Sequence, residues 1–292
     1  MHLILTGATG LVGSAVLDAM IKTTEITKIS IISRRPVKMA EDAKDPSRIN
    51  VILHTDFDKY DSDLLSQLKG ATGCVWALGI SQNAVGKEEY VKITKDFPLA
   101  AAAAFQTLLP SSDSSQFAKQ TTPESEKKPF HFIYISGEGA TTTPLPSLPL
   151  LSRLTTPWYA IVKGQAELAL SKLSPPSPSN PNSHPFQVYS MRPGWVDPTS
   201  HPSIHPYIPQ LSPFLNLMVC VLGPPIRVGY KKLWSPTELL GKFCVEMAMG
   251  GWDERIRKEI GGQEGGKNGF EKLEGGGVVV GNEGWRRVAG LG

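Results

Sequence analysis

The chain opens Met1-His2-Leu3-Ile4-Leu5-Thr6-Gly7-Ala8-Thr9-Gly10-Leu11-Val12-Gly13, an apolar run that enters a turn punctuated by three glycines and continues as a helical pattern. This start constrains the fold more than any other feature. A buried strand, a tight turn and a helix, in that order, begin a sheet wound by helices, with glycines where a dinucleotide pyrophosphate meets backbone. Gly7 allows the tight turn, Gly10 the approach of phosphate, and Gly13 the packing of the helix on its strand. The N–H groups that open the helix then face negative charge. An ordinary strand-to-helix turn is the competing reading.

The alternation continues along the chain. Strand-like runs at 29–33, 50–53, 73–78, 130–135 and 186–191 alternate with helical patterns at 14–22, 62–68, 88–109 and 156–173. A last strand is expected at 278–280 within a glycine-dense tail. The expected class is α/β, a doubly wound parallel Rossmann sheet with a small C-terminal substrate-covering region. Residues 1–196 form the NAD(P)-binding domain in this reading, 197–260 the covering segment, and 261–292 a strand and tail returning to the core. The stretches 110–129 and 174–185, rich in Ser, Pro and other polar residues, read as surface insertions. The apolar stretch 211–226 carries Asn216 and Gly223 and ends in Pro224-Pro225. It falls short of the roughly 20 apolar residues that span a bilayer. A pocket-covering helix is expected there, with peripheral membrane contact as the alternative.

Composition removes several classes. The net charge is only +3 over 292 residues, and no block of Lys and Arg is interleaved with aromatics, so the footprint of a nucleic-acid binder is missing. Cys74, Cys220 and Cys244 lack CxxC spacing, which suggests neither a disulfide framework nor a zinc site. With no leader ahead of the first strand, a cytoplasmic chain starting at Met1 is expected. His201 and His205, near Asp197, lie among prolines and read as a solvated loop rather than metal ligands.

Two clusters carry chemistry. The second strand ends in Ser33-Arg34-Arg35, where an NAD-selective fold places a carboxylate for the ribose hydroxyls. Guanidinium groups there suit a 2′-phosphate, so NADP is expected over NAD. Further on, Tyr159 and Lys163 stand four apart and share one helical face, so the ammonium favours the phenolate.

Together these residues resemble the short-chain dehydrogenase/reductase superfamily, of the extended or atypical kind. The resemblance rests on residues 6–13, the Tyr159/Lys163 pair, Ser136 upstream and Arg192-Pro193-Gly194. Trp76-Ala77-Leu78-Gly79 and the segment 162–167 are similar to the Tat-interacting-protein-like and fungal mitochondrial-proteome group. The resemblance implies an oxidoreductase interconverting a carbonyl and an alcohol on a small molecule by hydride transfer. Tyr159 would be the acid/base, Lys163 would lower its pKa and hold the nicotinamide ribose, and Ser136 would bond the substrate oxygen. Gly7, Thr9, Gly10, Leu11, Val12 and Gly13 would contact the pyrophosphate, Asp56 and Phe57 the adenine. Ala77, Leu78 and Gly79 would line the ribose side, and Pro193, Gly194 and Val196 the nicotinamide.

The pattern is departed from at Thr94-Lys95-Asp96, where many relatives place an asparagine in a proton relay. Glu138, beside Ser136, is a candidate second acid/base. A non-catalytic NADP-binding regulator and a sugar-nucleotide epimerase remain as alternatives. The outer face of the mitochondrial membrane is an alternative location implied by the narrower resemblance.

Overall fold

The computed structural model describes residues 1–109, 128–142, 157–174, 185–210, 213–261 and 268–291. Strands β1 (His2–Thr6), β2 (Lys28–Ser33), β3 (Ile49–Leu53), β4 (Gly73–Trp76), β5 (Phe130–Ile135) and β6 (Phe186–Arg192) are joined by β9 (Phe270–Lys272) and β10 (Val278–Gly281). They form one eight-stranded sheet in the order β3-β2-β1-β4-β5-β6-β10-β9. Every neighbouring pair is parallel except β10 with β9. The order reverses beside β1, between β2 and β4, and an open α/β sheet binds ligands at such a point, outside the carboxyl ends of its strands.

Alternation along the strands feeds two apolar layers. Leu3 and Leu5 of β1 face one side with Ile29 and Ile31 of β2, and Ile4 and Ile32 face the other. On the first side lie α1 (Leu11–Lys22) and α8 (Thr237–Ala248). Ala15 and Val16 of α1 and Leu240 and Phe243 of α8 are fully or almost fully buried there. On the second side lie α3 (Ser62–Leu68), α5 (Phe97–Gln106) and α6 (Trp158–Ser171). Phe105, Phe130, Phe132 and Trp76 fill the space between them and the sheet.

The helix expected over 88–109 is divided. α4 (Lys87–Val91) gives way to a π-turn over Lys92–Asp96 before α5 begins. The strand expected over 73–78 ends at Trp76, because Ala77 and Leu78 turn their N–H groups to Thr6 of β1. Short α2 (Lys38–Glu41) follows β2. The C-terminal third adds α7 (Pro213–Val228), α9 (Asp253–Gly261), α10 (Asn282–Val288) and a two-stranded ribbon of β7 (Trp195–Asp197) with β8 (Trp234–Pro236). α7 runs through Pro224-Pro225 instead of stopping there, and Gly229 N–H closes it onto the Pro225 carbonyl at 2.7 Å.

His201 is a correction to the solvated loop expected for it. It is 1% exposed, with Nδ1 at 3.1 Å from Thr237 Oγ1 and Nε2 at 2.9 Å from Asp18 Oδ2. Its loop is pinned to α1 and α8, contacts too distant in sequence for local composition to register. His205 is exposed, with Nε2 at 2.9 Å from the Pro198 carbonyl. The insertions expected at 110–129 and 174–185 lie almost wholly outside the described residues. Among the described residues no helix is long and apolar enough to cross a membrane.

Candidate active site

The glycine turn is built for close approach. Gly7 has φ +71°, a left-handed backbone that favours glycine, and a Cβ there would press on the Ala77–Leu78 peptide, 2.6 Å from the Leu78 nitrogen. A Cβ on Gly13 would collide with the Gly7 carbonyl, so α1 packs onto the turn only as glycine. Gly10 N–H bonds the Gly7 carbonyl at 2.9 Å and Ser14 Oγ the Ala8 carbonyl at 3.0 Å, which fixes the turn. Gly10 caps α1 without a side-chain bond, and the Leu11, Val12 and Gly13 N–H groups have no helical acceptor ahead of them. That cradle fits a pyrophosphate.

The basic pair after β2 divides its work. Ser33 Oγ donates to the Arg35 carbonyl at 2.7 Å, and Arg35 Nη2 donates to Thr9 Oγ1 at 3.0 Å, laying that guanidinium across the turn. Arg34 is exposed and lines a cavity of about 300 Å³ with Thr55, Phe57, Leu78, Gly79 and Lys92. Phe57 is a wall of that cavity and also a core side chain, edge-on to Trp76 at 6.0 Å. Asp56 is exposed, 3.7 Å from Lys59, and does not line it. Glu89 joins Arg34 and Lys92 among the charged residues of its lining.

At the ends of β5 and β6 the second cluster assembles. Ser136 N–H bonds the Met191 carbonyl at 2.8 Å, continuing the pairing of β5 with β6. Lys163 Nζ donates to the Ser136 carbonyl at 2.9 Å, so α6 delivers its ammonium to the residue just after β5. Burial pushes the Lys163 ammonium down, and Glu167, one turn further along α6, opposes this. Glu167 is fully buried and is held by the Arg192 guanidinium, with Nε at 2.9 Å from Oε1. Tyr159 is half-buried one turn before Lys163 on the same helix. Ser136 Oγ is 6% exposed by residue and has no hydrogen-bond partner among the described residues. A buried hydroxyl left unpaired costs on the order of 1–3 kcal/mol, and His54 Nε2, Tyr60 OH and Trp76 Nε1 are likewise unpaired among the described residues.

The remaining candidates sit in the wall. Pro193 accepts from Glu138 N–H at 2.9 Å, and Glu138 itself is exposed. Gly194 N–H donates to Ser235 Oγ at 3.0 Å, and Val196 pairs with Ser235 in the ribbon. Just beyond, buried Asp197 accepts from Arg227 Nε at 2.6 Å, Trp234 Nε1 at 2.9 Å and Thr199 Oγ1 at 2.6 Å. Burial alone would raise its pKa, but the bonds from Arg227, Thr199 and Trp234 outweigh it and hold the carboxyl at about 2. This latch ties the end of α7 to β7. Sequence reading missed Glu167, Arg192 and the Asp197 latch as working residues. Only Glu167 carried a local signal, its spacing of four from Lys163.

A glycine cradle at the switch point of a mostly parallel eight-stranded sheet defines a Rossmann-like fold, with Ser136 and Lys163 joined beside the neighbouring strand ends. No family model matches the chain. The Leucinostatins biosynthesis cluster protein T of Purpureocillium lilacinum is 32% identical over 251 residues, 85% of each chain. The Botcinic acid biosynthesis cluster B protein 16 of Botryotinia fuckeliana (strain B05.10) is 36% identical over 162 residues, covering 56% of this chain and 87% of that one. The solved structure of MoeE5 in complex with UDP-glucose and NAD shares the fold, with a TM-score of 0.52 at 12% identity over 85% of this chain and 72% of that one. The chain belongs to one family with the leucinostatin-cluster protein, and its fold is that of the nucleotide-binding Rossmann proteins among the solved structures.

Proposed function

We propose that this chain is an NADP-dependent oxidoreductase that interconverts a carbonyl and an alcohol on a small molecule. The observation that carries the reading is the buried Ser136 hydroxyl, unpartnered among the described residues, with the Lys163 ammonium fastened to the same residue's carbonyl. A hydroxyl so placed can bond a substrate oxygen, and a half-buried phenol one turn from that ammonium can give or take its proton. The bound cofactor would supply or accept the hydride.

The chain's own residues do the rest. The opening N–H groups of α1 bind the pyrophosphate, and Arg35, bonded to Thr9, stiffens the turn. Arg34 meets a 2′-phosphate at the cavity mouth. Ser136 orients the substrate oxygen and Tyr159 transfers the proton to or from it. Lys163 favours the phenolate and reaches the ribose, while the Glu167–Arg192 pair keeps its face of α6 fixed on β6. A cytoplasmic location goes with this reading.

Calorimetric titration with NADPH and with NADH tests the cofactor assignment. Selective NADPH binding, lost when Arg34 and Arg35 are both changed to Ala, is the expected result. Binding of neither nucleotide would overturn it, and tightly held NAD that does not exchange would point to an epimerase instead.

A further inference from the structure

Strand β10 runs parallel to β6 with Gly281 opposite Arg192, so the chain leaves both strands at the same edge of the sheet. Asn282, the first residue of α10, thus comes up beside Pro193-Gly194, and it is 2% exposed. Its Oδ1 lies 2.8 Å from Trp285 Nε1 and 2.6 Å from Ser235 Oγ, and its Nδ2 lies 2.6 Å from the Lys232 carbonyl. These partners leave one orientation for the amide, because an indole N–H only donates and a carbonyl only accepts. Ser235, fully buried, then donates to Oδ1, and its oxygen accepts the Gly194 N–H at 3.0 Å.

The consequence falls on a single peptide plane. The Pro193–Gly194 peptide is trans, so its carbonyl and N–H point opposite ways. It gives its N–H to Ser235 and accepts at the Pro193 carbonyl from Glu138 N–H at 2.9 Å. The plane is thereby pinned from two sides, by the Ser136-Gly137-Glu138 turn and by α10 acting through Ser235. Neither flank has slack. A Cβ on Gly194 would collide with the Leu233 carbonyl and stand 3.0 Å from Asn282 Nδ2, and one on Gly137 would stand 3.0 Å from Lys163 Nζ. α10 grips β8 a second time where Arg286 Nη1 donates to the Trp234 carbonyl at 2.7 Å.

We propose that Asn282 is a positioning residue: through Ser235 it sets the tilt of the Pro193–Gly194 peptide, the wall that meets the nicotinamide in the proposed complex, and locks that wall to the turn carrying Ser136. The proposal rests on the reading of this chain as a dinucleotide-binding enzyme with its nicotinamide end at Pro193-Gly194. Its effect is confined to that end, since neither the Arg35–Thr9 bond nor the Arg34 cavity draws on this network.

Calorimetry of the whole chain with NADPH and with 2′,5′-ADP, a fragment that keeps the adenosine end and lacks the nicotinamide, tests the assignment. Asn282→Ala removes the junction. Ser235→Ala leaves Asn282 its bonds to Trp285 and Lys232, which keeps α10 seated and gives a variant that folds. Both are expected to weaken NADPH about 3- to 10-fold and to leave 2′,5′-ADP unchanged. The nicotinamide fluorescence of bound NADPH is expected to move toward that of free NADPH. Unchanged NADPH affinity and emission in both variants overturn the proposal, as does an equal loss of NADPH and 2′,5′-ADP, the mark of a merely structural role. Those outcomes leave the cofactor reading standing. A wild-type chain that binds neither ligand removes that reading, and this proposal with it.

Discussion

Replacing Asp197 by Asn should take a pH-dependent part out of this protein's stability. The carboxylate accepts from Arg227, Trp234 and both the backbone and hydroxyl of Thr199, and is 1% exposed. Its pKa falls from the ordinary 3.8 to about 2, so the folded state holds the proton more weakly than the unfolded chain. Stabilisation is complete above the unfolded value and is lost as pH falls through the folded one, a change of about 2 kcal/mol. Asparagine cannot titrate, and it leaves Arg227 without its carboxylate, so the variant should be weaker by about 3 kcal/mol at neutral pH. Urea unfolding of both proteins at a series of pH values measures the gap. It should be constant above about pH 5 and shrink by about 2 kcal/mol toward pH 2. A gap that does not change over that range would refute the assignment of the low pKa to this latch.

Three further outcomes are expected. Gly13→Ala should abolish nucleotide binding in calorimetry and destabilise the fold by about 1–3 kcal/mol, because its Cβ meets the Gly7 carbonyl. Arg34→Ala should weaken NADPH about 10- to 100-fold and leave NADH unchanged, whereas Arg35→Ala, which frees Thr9, should weaken both. His2, buried on β1 with Nε2 at 2.8 Å from Ser30 Oγ, is lowered to about 4 by burial and by the charge of Lys28. Its depressed folded pKa gives stability that is full above about pH 6.5 and is lost as pH falls toward 4, by about 3 kcal/mol. That slope in thermal unfolding should flatten in His2→Gln.

Much of the fold is legible because its cues are local. Gly7 and Gly13 sit where backbone geometry tolerates no side chain, and β1 and β2 advertise themselves as buried apolar runs between polar breaks. The Tyr159/Lys163 face comes from helical spacing alone. The features that escape the sequence are made by pairing across long separations. Asp197 with Arg227, Glu167 with Arg192, and His201 with Asp18 join residues on different elements, and nothing in their neighbourhoods announces the partner. The π-turn at Lys92–Asp96 escapes for another reason. Its residues continue the helical pattern, and the Tyr134 hydroxyl that takes the Thr94 carbonyl comes from β5. The β7–β8 ribbon has only three residues per strand, too few for alternation to register.

The division of Ser33-Arg34-Arg35 is likewise a matter of side-chain partners. The sequence presents two equivalent guanidinium groups. The structure turns Arg35 onto Thr9 and leaves Arg34 at the cavity mouth.

Hydride transfer with Tyr159 as the proton donor is most directly measured by tracking the hydride itself. NADPH carrying deuterium at the transferable position is incubated with a panel of small ketones and aldehydes, and the products are examined by mass spectrometry for wild type and Tyr159→Phe. Deuterated alcohol is predicted from the wild type and none from Tyr159→Phe, with NADPH affinity in the variant nearly unchanged. Equal deuterium transfer by both proteins would contradict this mechanism, as would NADPH binding with no transfer to any member of the panel.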